Sequence, residues 1–210
     1  MTSTCIAVFA RAIEPGKVKT RLAATLGDAA ALDVYCQMLE RTLQAVQATG
    51  LAASLWATDS RCQALQSLAR KYGCSLQQQD GAGLGERMLH TLRVMHRYHE
   101  RVVLVGSDCV LLDRDRLLGV AAQLEYSQCV ICPAEDGGFV LIGSQRAVDW
   151  QITDLDGVRW SSAETLADTL RCLKQKEVRA TILDSLWDVD TVDDLRRAVA
   201  EGRLDARDWL

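Results

Sequence analysis

No apolar run in the chain approaches the roughly 20 residues needed to cross a bilayer, so no membrane span is expected. The first apolar stretch, residues 5–10, follows no basic segment and is too short for a signal-peptide core. A cytoplasmic location is therefore the expectation. Basic surface is also scarce: 24 Lys and Arg against 28 Asp and Glu leave a net charge of −4. Such a balance disfavours nucleic acid, whose backbone is gripped by positive patches. The phosphate loop of ATPases, G-x-x-x-x-G-K-S/T, is absent. No G-x-G-x-x-G follows the first strand, which excludes the dinucleotide fingerprint. Only three histidines occur, His90, His96 and His99, with no nucleophile beside them. A Ser-His-Asp hydrolase is thereby disfavoured.

A disulfide framework is missing too. Eight cysteines are scattered over the whole length, a pattern that suits free buried thiols in a reducing compartment. Cys129 and Cys132 form a C-x-x-C, but no second pair completes a zinc site. The strand pleat would also send the two to opposite faces.

What remains is a regular alternation of apolar strands and amphipathic helices. Strands are expected at residues 5–10, 52–57, 75–78, 102–105, 129–132, 139–144 and 178–183. Helices are expected at residues 28–49, 61–72, 85–98, 113–124, 163–175 and 192–200, with Asp28 as an N-cap. The β-α alternation predicts an α/β fold with a mostly parallel central sheet covered on both faces, in one domain over residues 1–210. Residues 145–162 read as a lid, an acceptor loop or a plain connection.

Asp108 ends the apolar strand Val102 to Val105 through Gly106 and Ser107. In open α/β sheets ligands bind at the carboxyl ends of strands, and a carboxylate there suits a divalent metal. Capping of a turn or helix is the plainer alternative. After the first strand, Arg11, Lys17, Lys19 and Arg21 fall within eleven residues with one acid, Glu14, and a Pro15-Gly16 turn. These cations suit a diphosphate or triphosphate. Gly81, Gly83 and Gly85 precede a helix at every second residue and could let the backbone approach a flat ligand. Asp136-Gly137-Gly138 is either a tight hairpin turn or, if it faces a cleft, a carboxylate for a sugar hydroxyl or an acceptor. Near the C-terminus lie Asp188, Asp190, Asp193 and Asp194. Helix capping by Thr191 or Asp190 needs one or two acids, not four. Alternation along a strand would let only one of Asp188 and Asp190 face a metal shared with Asp108; Asp190 is preferred. Trp160 either offers a sugar a flat apolar face or packs in the core.

Taken in order, Phe9 to Leu22, Leu84-Gly85-Glu86-Arg87-Met88, Val105 to Cys109, Asp136 to Gly143, Trp160-Ser161 and Asp188 to Thr191 resemble the DUF2064 family over about residues 5–200. That family comprises GT-A-like nucleotide-diphospho-sugar transferases, also labelled selenodomain-associated transferases or arsenosugar-biosynthesis glycosyltransferases. Its superfamily includes guanylyltransferases with a similar Asp-Val-Asp-Thr ending. Two departures stand out: Val110 where the family usually has Pro, and Gly83 where it often has Asp.

The resemblance implies a three-layer GT-A-like domain binding a nucleotide sugar or nucleoside triphosphate, a small-molecule acceptor, and Mg²⁺ or Mn²⁺. Asp108 and Asp190 would hold the metal; Arg11, Lys17, Lys19 and Arg21 the phosphates; Gly81, Gly83 and Gly85 the base; and Asp136 would face the acceptor. With Asp108 and Asp190, Asp136 completes the candidate catalytic set. The expected activity is metal-dependent glycosyl transfer. Nucleotidyl transfer and a non-catalytic nucleotide-binding module are the alternatives.

Overall fold

The computed structural model describes residues 3–205 and Trp209. Seven strands form one sheet: β1 (Thr4–Ala10), β2 (Ala52–Ala57), β3 (Ser75–Gln78), β4 (Arg101–Val105), β5 (Cys129–Pro133), β6 (Phe139–Gln145) and β7 (Ala180–Ile182). Their spatial order is β3-β2-β1-β4-β6-β5-β7. All pairings are parallel except those of β6, which runs antiparallel to both β4 and β5. The α-helices among the described residues are α1 (Thr20–Leu26), α2 (Asp28–Ala48), α3 (Gln63–Lys71), α4 (Leu84–Met95), α5 (Arg114–Gln123), α6 (Thr165–Gln175) and α7 (Val192–Ala200).

The period-2 alternation of strand side chains separates two cores. On β1, Ile6 and Val8 join one cluster, while Cys5 and Ala7 join the other. The first cluster is closed by apolar faces of α2, α3, α5 and α7, through residues such as Met38, Leu65, Leu117 and Leu195. The second is closed by α4 and α6, through Leu89, Leu92 and Leu173, together with Trp150 and Leu155 from the irregular stretch. This is the expected three-layer arrangement. Cys129 lies in one core and Cys132 in the other, as the pleat requires, and no disulfide joins the cysteines among the described residues.

Helix boundaries lie within three residues of those expected, and both ends of α7 coincide. Gly27, not Asp28, is the N-cap of α2, and Asp28 is the first helical residue. Asp113 caps α5 by accepting from the Arg116 N–H. Helix α1 was not expected at all, because its first residues belong to the cationic segment. Among the described residues no helix is long and apolar enough to cross a membrane.

The reversal of β6 decides what reaches the upper end of the sheet. Because β5 runs with β4 and β6 against it, the β5–β6 turn lies at the carboxyl end of β4. There the Gly106 N–H donates to the Val140 carbonyl at 3.1 Å. In this turn Asp136 Oδ1 accepts from the Gly138 N–H at 2.9 Å, and Gly137 adopts φ +89°. A Cβ on Gly137 would come within 2.2 Å of the Ala163 carbonyl oxygen. The turn and the segment before α6 are thus packed backbone to backbone, and Leu166 N–H donates to the Gly137 carbonyl at 2.9 Å. Gly137→Ala should lose about 1–3 kcal/mol from the backbone conformation alone, with the contact adding more. Urea denaturation should show a lower midpoint at unchanged slope.

Candidate functional site

A cleft of about 660 Å³ opens over the carboxyl ends of β1 and β4, within the size range of ligand sites. At its centre the Lys19 ammonium lies 3.0 Å from Asp108 Oδ2 and 2.7 Å from Asp190 Oδ1. The lysine side chain is 5% exposed. Burial alone would discourage its charge, but Asp108 and then Asp190 outweigh that cost and hold its pKa above the ordinary value. Lys19 reaches this position from a left-handed backbone, φ 46° and ψ 48°, at the N-cap of α1. That conformation costs a non-glycine residue roughly 1–2 kcal/mol. Arg21 Nη1 approaches Asp190 Oδ2 at 3.4 Å. Burial opposes the Asp190 charge, while attraction to Lys19 and Arg21 lowers its pKa overall.

The chain brings these groups together in two ways. Tyr35, on α2, donates its hydroxyl to the Arg11 carbonyl at 3.0 Å and accepts the Arg11 N–H at 2.8 Å, which fixes the start of the cationic segment. At the other side the Val189 N–H donates to the Asp108 carbonyl at 3.1 Å, tying the C-terminal acidic segment to the end of β4. Capping then sorts the four C-terminal acids. Thr191 and Asp194 form a reciprocal capping box on α7, and Asp194 also accepts the Asp190 N–H. Asp193 pairs with Arg196. Asp188 and Asp190 are left for the cleft, and both line it. The expectation that only one would face inward assumed strand pleating, but residues 187–190 are not a strand. Burial, followed by the charges of Asp136, Asp190 and Asp108, pushes the Asp188 carboxyl up to about 7.

Of the other expected residues, Arg11 and Asp136 line the cleft. Lys17 does not; its ammonium pairs with Glu14 at 2.6 Å and is mostly exposed. Gly81, Gly83 and Gly85 are also outside the lining. Gly85 acts indirectly, since a Cβ there would fall 2.7 Å from the Trp160 indole. Its bare backbone seats the ring, which lines the cleft and meets Phe139 edge-on at a centroid distance of 6.3 Å. Lining residues not anticipated from sequence include Tyr35, Thr58, Gln79, Arg87 and Ser107. Gln79 donates its amide to the Ala10 and Trp56 carbonyls, bracing the ends of β1 and β2. Its helical spacing alone marks Tyr35 as core, and no local pattern announces the others. The histidines stay apart from the cleft: His96, for example, is buried against Ser144.

Four carboxylates (Asp108, Asp136, Asp188, Asp190) share the cleft centre with Lys19 and Arg21. Hard carboxylate oxygens are the ligands Mg²⁺ and Mn²⁺ prefer. Among the described residues no group of three acids, imidazoles or thiols already forms a metal cage. The donor chemistry fits a divalent ion that shares Asp108 and Asp190 with the lysine.

The irregular stretch is anchored rather than loose. Asp168, 1% exposed, accepts from Arg159 Nε at 2.8 Å, from the Arg159 N–H at 3.1 Å and from Arg171 at 2.8 Å. Thr165 Oγ1 donates to the Arg159 carbonyl. These contacts fix the backbone one residue ahead of Trp160.

This architecture is known from other proteins. The model of a family described as uncharacterized protein conserved in bacteria, DUF2064, matches residues 41–162. The chain belongs to the DUF2064 family. Its structure is similar to that of a protein from Desulfovibrio desulfuricans G20 named for nucleotide-diphospho-sugar transfer, with a TM-score of 0.86 and 27% identity over 99% of this chain and 90% of that one. A 4-diphosphocytidyl-2C-methyl-D-erythritol synthase from Anaerococcus prevotii DSM 20548 shares the fold at TM-score 0.65 and 11% identity, covering 97% of this chain and 99% of that one. So does Rv0371c of Mycobacterium tuberculosis H37Rv, solved with manganese, at TM-score 0.58 and 17% identity, covering 95% and 99%. No curated protein matches the chain. The fold of this DUF2064 member is thus the GT-A-like fold of nucleotide-diphospho-sugar transferases.

The Asp168 anchor has a pH signature. Hydrogen bonds from Arg159 hold the Asp168 carboxyl well below its ordinary 3.8. A depressed folded pKa adds stability that is present above the unfolded value and lost as pH falls through the folded one. Melting temperature should therefore drop below about pH 4 in the native protein. Asp168→Asn should melt lower at pH 7 and lose part of that acid dependence; equal slopes for the two proteins would contradict the assignment.

Proposed function

We propose that this protein is a metal-dependent transferase acting on a nucleotide-activated sugar. The observation that carries this reading is the convergence of Lys19, Asp108 and Asp190 at the sheet's carboxyl end, inside a fold shared with nucleotide-diphospho-sugar transferases. Arg11 and Arg21 would bind the diphosphate, and Lys19 would hold Asp108 and Asp190 in place for it. The half of the cleft near Thr58, Gln79 and Arg87 would take the nucleoside, and the half near Asp136 and Trp160 the acceptor. Asp108 and Asp190, with Asp188 beside them, would hold Mg²⁺ or Mn²⁺. Bound there, a divalent ion supplies charge stabilisation to a departing diphosphate. The protein's own part is positioning: the braced cationic segment fixes the donor, while Asp136 can accept a hydrogen bond from an acceptor hydroxyl.

Nucleotidyl transfer uses a similar nucleotide site but breaks a different bond. Product analysis with UDP- and GDP-sugars, against the four nucleoside triphosphates plus a sugar phosphate, separates the two. Free nucleoside diphosphate is the expected product; pyrophosphate would establish nucleotidyl transfer instead. Calorimetry tests whether the site is a working one. Mn²⁺ should strengthen nucleoside diphosphate binding by about tenfold or more, with the gain lost in Asp108→Ala. Binding indifferent to EDTA and to that substitution would leave only a non-catalytic nucleotide-binding module.

A further inference from the structure

We propose that the acceptor half of the cleft selects an uncharged, hydroxyl-bearing molecule with a flat apolar face, of the kind a sugar ring presents, and discriminates against phosphorylated acceptors. The inference rests on the nucleotide reading above and deepens it.

Its first support is the division of charge across the cleft. Three of the four cations that line it belong to the segment after β1. Arg11, Lys19 and Arg21 lie on the segment following β1, and Arg87 is tied to the Gly83 carbonyl and faces Gln79 beyond β3. The opposite wall, built from the β5–β6 turn and the segment before α6, carries Asp136 and no lysine or arginine among its described lining residues. Neighbouring arginines are paired away from it: Arg159 and Arg171 with Asp168, and Arg197 with Glu135. A phosphate group placed beside this turn would meet the Asp136 carboxylate and no lysine or arginine, a juxtaposition that rejects a ligand without any steric block. A hydroxyl would meet good acceptors.

The second support is the shape of that wall. Trp160 is half-buried with its ring in the cleft, seated on the bare backbone of Gly85 and buttressed edge-on by Phe139. Ser161, directly after it, is left-handed at φ 57°, which turns the chain away behind the ring. Beside the ring, Ser162 Oγ donates to the Arg159 carbonyl and holds the loop. A rigid aromatic face next to fixed carboxylates is the combination that binds the C–H face of a sugar and its hydroxyls at once.

The test uses the full-length protein saturated with UDP or GDP and Mn²⁺, so that the cationic wall is filled. Methyl hexosides and methyl pentosides are compared with hexose 6-phosphates and pentose 5-phosphates by saturation-transfer NMR. The neutral sugars should bind at least tenfold more tightly than the phosphates, and the gap should narrow at 1 M salt as repulsion is screened. Trp160→Leu should weaken neutral-sugar binding at least tenfold while nucleotide affinity, measured on the same sample, stays within twofold. Trp160→Phe should keep most of the sugar affinity, and Asp136→Asn should admit the phosphates. Phosphates binding as well as neutral sugars, no neutral sugar binding, or sugar binding indifferent to Trp160→Leu would each overturn the assignment. If the wild-type protein bound no nucleotide, the transferase reading itself would fall, a result the nucleotide titration identifies by itself.

Discussion

One buried ammonium organises this molecule's upper end. Lys19 contacts Asp108 and Asp190, residues that the chain delivers from the end of β4 and from the approach to α7. Without a cation between them, two carboxylates at that separation would repel in a partly desolvated site, and each would resist ionisation. With it, the cationic segment after β1, the end of β4 and the approach to α7 are held to one point. The left-handed backbone at Lys19 is explained by the same contact. Local strain of that kind persists only where the surroundings over-determine it, and here two ion pairs do so.

The remaining acids show why charge counts alone do not define a site. Seven aspartates lie at 108, 113, 136, 188, 190, 193 and 194, yet their duties differ. Asp113 and Asp194 satisfy helix N-termini, and Asp193 pairs with a neighbouring arginine on its own helix. Only after these local demands are met do Asp108, Asp136, Asp188 and Asp190 remain facing one cleft. Burial, and then the neighbouring acids, push the Asp188 carboxyl up to about 7, while Asp190, beside Lys19 and Arg21, is pulled the other way. Two carboxylates two residues apart thus acquire opposite tendencies from their surroundings alone.

Much of this was legible in the chain, and the parts that were not share a cause. Periodicity located every strand and six of the helices, because burial on both faces of a parallel sheet leaves continuous apolar runs. The opposite fates of Cys129 and Cys132 followed from the pleat. Helix α1 was hidden because Thr20 and Arg21 read as a charged loop, and only Leu22 is buried from it. In the site, Asp108, Asp136, Asp190, Arg11, Lys19 and Arg21 could be picked out by type and position, but Lys17 could not be distinguished from Lys19. Their difference depends on a backbone reversal that puts one ammonium in the cleft and leaves the other with Glu14. Tyr35 and Gln79 left no trace at all. Both reach the cleft by tertiary packing, and a core-facing position on α2 looks the same in sequence whatever its hydroxyl touches.

The antiparallel strand is what makes the cleft two-sided. A purely parallel sheet would present only the loops that leave its strands. By reversing β6 between β4 and β5, the fold lifts the β5–β6 turn to the same end, so Asp136 and Phe139 arrive beside Gly106 and Asp108. That turn then packs on the segment before α6 through Gly137, and the same segment carries Trp160 onto Gly85. A glycine in α4, a glycine in a hairpin and a buried aspartate in α6 therefore cooperate to erect one wall, although none of the three lines the cleft. The parallel half of the sheet supplies cations and the reversed strand supplies an aromatic ring and a carboxylate. The two sides differ in chemistry because they differ in topology.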